Sequence, residues 1–215
     1  LSTNIETAAE TAYGYVRIQR PMWDVFRVDN VRLECASAAS AAPTVENRSM
    51  EREKHGLPQA WHRRSTAYTD AVHEQSSDER VSGSFSGHIE HTSTSANGYL
   101  YSDYMYVRPT ESYTVAASVK TVSSVGGADV VVEYYDSSGT IVGGLQYVVP
   151  ALVKGTQDWQ RYVKLLTVPS GVSWMRVFLR HQAGGGSAYF DALSVAPGKQ
   201  TSEMTVDATT HTYAT

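Results

Sequence analysis

The sequence predicts an all-β protein, a β-sandwich of the jelly-roll type, and three observations carry that prediction. Successive segments alternate apolar and polar residues with period two, which is how a half-buried strand reads. Turn signals separate these segments at intervals of about 8 to 15 residues, a spacing that suits sandwiches and barrels rather than α/β units. No long stretch shows helical periodicity.

The elements follow in order. After Gly56-Leu57-Pro58-Gln59-Ala60-Trp61, strand candidates run over 81–89, 99–107 and 113–120, the second dense in tyrosine. Tyr99, Tyr101, Tyr104 and Tyr106 are further candidates for a ligand face, although Tyr99/Tyr101 and Tyr104/Tyr106 fall on opposite parities of a regular strand. Ala128 to Tyr135 forms another candidate, closed by Asp136-Ser137-Ser138-Gly139, a strong turn signature. The series continues through 140–149, 159–168 and Trp174 to Val195, with Pro169-Ser170-Gly171 as a break. In the last segment Met175, Val177 and Leu179 take one face and Trp174, Arg176, Phe178 and Arg180 the other. In the same way Val130, Val132 and Tyr134 oppose Val131, Glu133 and Tyr135.

The closing hairpin has an echo near the N-terminus. Val16-Arg17-Ile18 and Phe26-Arg27-Val28-Asp29 repeat the order of an alternating strand, a turn and an apolar run ending in Asp, as in Met175-Arg176-Val177 and Tyr189-Phe190-Asp191. The second copy is longer, which the Gly184-Gly185-Gly186 loop accommodates. The organisation expected is therefore modular. Residues 1–35 would be the C-terminal hairpin of a preceding similar module, 36–43 an Ala/Ser linker, 44–197 a β-jelly-roll module, and 198–215 a linker and the start of a further segment.

Composition narrows the function classes. The chain has 215 residues, a formal net charge of −4 and no Lys/Arg block, which argues against a nucleic-acid partner. No apolar run approaches the roughly 18 residues that cross a bilayer as a helix. Cys35 is the single cysteine, so an internal disulfide is impossible, and a lone thiol on a strand reads as a small core hydrophobe. Gly83-Ser84-Phe85-Ser86-Gly87 puts Phe85 where a nucleophile elbow needs serine. His88 and His91 flank Glu90, yet on a strand they project to opposite faces. No zinc-protease, P-loop or dinucleotide motif is present. The chain reads as no enzyme.

The ordered motifs resemble a carbohydrate-binding module of the galactose-binding-like jelly-roll type, of the kind that accompanies xylanases and glucanases. The resemblance covers about residues 45–196. It rests on Asn47-Arg48-Ser49-Met50-Glu51, Gly56 to Trp61, Val107-Arg108-Pro109 before Ser112-Tyr113-Thr114-Val115, Glu133-Tyr134-Tyr135-Asp136, Trp159, and Ala188-Tyr189-Phe190-Asp191. Modules of this type also recur in bacterial surface, phage tail and virion proteins.

The resemblance implies a structural Ca²⁺ between Glu51 and Asp191, with backbone carbonyls completing the about 6 to 8 oxygens such an ion takes. The bland alternative is an Asp191 that caps a turn and a solvated Glu51. It also places Trp61 and Trp159 in the core. The outward row of Trp174, Arg176, Arg180, Glu133 and Tyr135 is the candidate ligand surface, since aromatic faces stack on pyranoses and charged groups bind hydroxyls. Against it stand a cross-strand Glu133–Arg176 ion pair on a solvated sheet, or an aromatic row covered by a neighbouring module. The function expected is non-catalytic carbohydrate binding that attaches a larger extracellular, cell-surface or virion protein to polysaccharide. The alternative is a structural or adhesion module of a phage virion, tail fibre or cell-surface array, without a sugar site of its own and with neighbouring modules or virion subunits as partners.

Overall fold

The computed structural model describes residues 45–65, 71–91 and 97–198. The N-terminal hairpin copy with Asp29, Cys35, the linker 36–43 and residues 199–215 lie outside them. Among the described residues there is no helix; the elements are twelve strands. A small pair, β1 (Glu53–Lys54) and β2 (Leu57–Pro58), stands apart. The rest are β3 (Trp61–Ser65), β4 (Ala71–Ser76), β5 (Ser86–His91), β6 (Gly98–Ser102), β7 (Met105–Tyr106), β8 (Ser112–Tyr135), β9 (Gln146–Tyr147), β10 (Val153–Thr167), β11 (Trp174–His181) and β12 (Gly186–Pro197).

These ten strands form one antiparallel ladder, β3-β6-β11-β8-β12-β5-β4, with β10 and β9 also on β8 and β7 on β11. The ladder folds into two layers because β8 serves both. Tyr113 to Val122 pair with β12 and most of β10, whereas Ala128 to Tyr135 pair with β11. One layer is thus β10-β8-β12-β5-β4 and the other β9-β8-β11-β6-β3. The sequence shows two strands, 113–120 and 128–135, where the structure has one strand changing layer.

That change happens at Ser123–Gly127, where Ser123 and Gly127 take positive φ. The Gly184-Gly185-Gly186 loop lies against it. A Cβ on Gly126 would collide with the carbonyls of Gln182 and Ala183, and one on Gly186 with that of Ser123. Glycine is needed on both sides of this crossing because backbone meets backbone.

Both layers give their inward parity to one core. Tyr113, Val115, Ala117 and Val119 from one half of β8 meet Val130, Val132 and Tyr134 from the other, Met175, Val177 and Leu179 from β11, and Phe190 from β12. The alternation therefore reports facing correctly. Trp61 joins this core, but Trp159 does not; it is half-buried. It lies where the register of β10 on β8 slips between Gln157 and Gln160, so the irregular edge strand does not carry its ring inward.

Two further expectations change. Residues 81–85 are not strand; β5 begins only at Ser86. Of 140–149 only Gln146–Tyr147 is strand, because Asp136 Oδ1 accepts the N–H groups of Ser138 and Thr140 and extends the turn. Val142 and Val148 then hug the β8 edge through the carbonyls of Tyr134 and Val130.

Candidate functional site

The outer face of the β9-β8-β11-β6-β3 layer gathers the residues nominated from sequence. Register sets them in cross-strand rows: Trp174 opposite Tyr135, Arg176 opposite Glu133, and Arg180 opposite Asp129. On the other flank of β11, Phe178 faces Tyr101 and Trp174 faces Tyr106, while Tyr101 faces His62 of β3.

Aromatic rings pave the face. His62 stacks on Tyr101 at 5.3 Å and Tyr101 on Phe178 at 5.5 Å. Tyr104 meets Tyr135 edge-on at 5.0 Å, and Tyr106 meets Trp174 edge-on at 5.6 Å. Tyr101 and Tyr104 reach one side of the sheet because Asp103-Tyr104 interrupts the strand between β6 and β7. The break resets the parity that a continuous strand would impose.

Arg176 lies among these rings. Its guanidinium carbon is 3.9 Å from the Tyr104 centroid and 4.6 Å from that of Tyr101, close enough for cation–π attraction. Its Nε is buried and makes no hydrogen bond among the described residues. Although Glu133 is its register partner, the two charges do not pair. Glu133 Oε2 instead accepts the Tyr135 hydroxyl at 2.5 Å. Tyr135 is itself buried, and burial followed by the Glu133 carboxylate pushes its phenol well above the usual range. The cross-strand ion pair weighed from sequence is thus replaced by a guanidinium clasped by rings and a carboxylate held by a phenol.

Arg180 behaves differently. Its Nε donates to Asp129 Oδ1 at 2.8 Å and its Nη2 to Asp129 Oδ2, a two-pronged pair in which both residues are buried. The Asp129 carboxylate holds the guanidinium above its ordinary value. A side chain so engaged shapes the floor of the face rather than reaching outward. On the far edge His62 Nε2 contacts Asp103 Oδ1 at 2.6 Å, both exposed.

Four residues of this face, His62, Tyr147, Asp103 and Asp129, are not evident from sequence. Strand order decides which segments flank β11, and one chain's alternation does not reveal strand order. Tyr147 lies 5.6 Å from the Arg180 guanidinium and is 43% exposed, so with Tyr104 at 46% and Tyr106 at 49% it is open to a partner.

Glu51 and Asp191 sit elsewhere and close on one loop. Asp191 is fully buried; its Oδ2 accepts the N–H groups of Val81 and Ser82 at 2.9 Å each, and its Oδ1 that of Ala192. Glu51 accepts the N–H groups of Ser84 at 3.0 Å and Phe85 at 3.2 Å. Desolvation raises the Asp191 carboxyl above the usual range; amide hydrogen bonds oppose this, and the nearby Glu51 charge adds to it. Two carboxylates thus converge, as a hard cation requires. The surroundings they meet are N–H donors, so a cation would need loop carbonyls turned toward it. Among the described residues no third acidic, His or Cys group joins them as a metal cluster.

No protein-family model matches the chain, and no curated protein matches it either. Solved structures do. The enzymatically active domain of bacteriophage CBA120 tailspike protein 4 superposes with a TM-score of 0.57 at 11% identity, over 70% of this chain and 22% of that one. The CBM22-1 xylan-binding domain of Paenibacillus barcinonensis Xyn10C gives 0.53 at 18% identity, over 76% of this chain and 99% of that one. The arabinose-bound α-L-arabinofuranosidase MgGH51 gives 0.55 at 16% identity, over 74% and 27%. The chain spans less than a quarter of the tailspike domain and nearly all of the xylan-binding domain. At these identities the likeness establishes the fold: an all-β sandwich shared with carbohydrate-binding modules.

Proposed function

We propose that the chain is a non-catalytic carbohydrate-binding module whose ligand lies on the outer face of β9-β8-β11-β6-β3. The observation that carries this reading is the setting of Arg176. A guanidinium held between Tyr101 and Tyr104, beside a Glu133 carboxylate that pairs with no cationic side chain among the described residues, offers donors and an acceptor amid aromatic faces. A pyranose presents the complement of that set: hydroxyls that both donate and accept, and C–H faces that stack on rings. The xylan-binding domain that shares this fold supports the reading by analogy.

In this role the module would attach a larger extracellular, cell-surface or virion protein to polysaccharide. The second reading, a structural or adhesion module, is favoured by the exposed Tyr104, Tyr106 and Tyr147, which a neighbouring module or virion subunit could cover. Affinity electrophoresis against a panel of soluble polysaccharides separates them. Retardation by at least one glycan, abolished by Trp174→Ala and Arg176→Ala, is the expected result. Equal mobility with and without every glycan would favour the structural role.

A structural Ca²⁺ at Glu51 and Asp191 belongs to the same reading. The two carboxylates would hold it, and it would tie the opening segment to the closing strand. Melting with and without EDTA tests it: a lowered midpoint supports the ion, and an unchanged one removes it.

A further inference from the structure

We infer that His73 and His181, with His91 packed beside them, form an acid-released latch, which closes one end of the sandwich while the His73 and His181 imidazoles are neutral and opens as those two take up protons. The inference is independent of the ligand face. It rests on three imidazoles placed between the layers, where most buried side chains are apolar.

His73 on β4 and His91 on β5 belong to one layer; His181 on β11 belongs to the other. His73 Nε2 accepts the N–H of Tyr99 on β6 at 3.1 Å, crossing between layers. His91 Nε2 lies 3.1 Å from the Gly98 nitrogen and 2.8 Å from the His181 carbonyl oxygen. His181 Nδ1 donates to the carbonyl of Ile89 on β5 at 3.2 Å, and its Nε2 accepts from Ser124 Oγ at 2.8 Å. Ser124 Oγ in turn accepts the Gly127 N–H at 3.1 Å, tying the latch to the point where β8 changes layer. The rings of His91 and His181 are 4.7 Å apart. Gly98 permits this approach, since a Cβ there would press on Ile89 and His73.

The chemistry of acceptance makes the device acid-sensitive. A nitrogen that accepts an N–H must carry a lone pair, so His73 Nε2 and His181 Nε2 act only in the neutral ring. Among the described residues no carboxylate pairs with the ring of His73 or His181. Positive charge on His91, His88 or Arg63 acts to lower the His73 pKa, and on His91 or His88 to lower that of His181. Among the described residues the carboxylates near this end serve the outer surfaces: Glu74 contacts His88 Nδ1, Asp129 pairs with Arg180, and Glu90 is exposed. His88 itself faces outward, stacked on Tyr189 of β12 at 4.4 Å.

Burial holds both His73 and His181 down to about 4, against an ordinary 6.5. The unfolded chain therefore binds protons that the folded chain refuses. The latch contributes fully above pH 6.5 and loses its contribution as pH falls from there to about 4.

The test uses the whole chain. Ring ¹⁵N spectra across pH 7.5 to 4 should show His73 and His181 neutral, each with one accepting nitrogen, until well below pH 5. In urea titrations the folding constant should fall by about tenfold per pH unit for each imidazole in that window. His73→Gln keeps an acceptor for Tyr99 N–H without titrating and should flatten that slope, while His55→Gln on the exposed surface should leave it unchanged. Should His73→Gln not fold, the ring spectra decide alone. Rings that titrate near 6.5 in the folded chain, or a slope unmoved by His73→Gln, would overturn the latch.

Discussion

The guanidinium carbon of Arg176 stands 3.9 Å from the ring centroid of Tyr104, a residue that leaves its strand to reach it. That contact, with Tyr101 on the other flank, leaves the guanidinium without a carboxylate among the described residues while Glu133 turns to Tyr135. The two charges of the row are thereby kept available.

Arg176→Ala should accordingly weaken glycan binding by tenfold or more, about 1.4 kcal/mol, with a melting midpoint close to the parent's. Calorimetric titration beside a thermal melt checks both.

Arg180→Ala should act the other way round. Removing it strands Asp129, which is 1% exposed, and breaking a buried pair in this manner costs about 3–5 kcal/mol. The urea midpoint should drop sharply, and Asp129→Asn/Arg180→Gln should recover part of the loss.

Tyr135→Phe removes the hydroxyl donated to Glu133 and keeps the ring against Tyr104. Affinity should fall a few-fold, by roughly 1 kcal/mol, the worth of one hydrogen bond. Tyr104→Phe, which keeps the ring under the guanidinium, should bind nearly as the parent does.

Gly186→Ala places a Cβ against the Ser123 carbonyl, at a φ of 90° that suits glycine. A loss of about 1–3 kcal/mol in stability is expected, read as a lower urea midpoint. Gly139→Ala tests strain alone, because its φ is 84° and nothing lies near its Cβ; it should cost less.

Much of the architecture is legible in the chain. Alternation places Met175, Val177, Leu179, Val130, Val132 and Tyr134 inward, and the structure agrees because a strand has only two faces. The outward row of Trp174, Arg176, Glu133 and Tyr135 follows from the same rule. What alternation cannot supply is which strand lies beside which, so His62, Tyr147 and the Arg180–Asp129 pair emerge only from the ladder. Irregular backbone hides the remainder. The Asp103-Tyr104 break brings Tyr101 and Tyr104 to one side, and the slip in β10 keeps Trp159 out of the core. Nor does any local pattern show that three distant histidines meet between the layers, since the contacts of His73 and His181 span 26 to 92 residues of sequence.

The central claim is that ligand meets the protein at Arg176 and the rings about it. The most direct measurement is an NMR titration with an oligosaccharide cut from whichever polysaccharide retards the chain, following the Arg176 Nε–H and the Trp indole N–H signals. Progressive shifts of Arg176 and Trp174, with the buried Trp61 unmoved, are the expected result. Shifts confined to another surface, with Arg176 and Trp174 still, would contradict it.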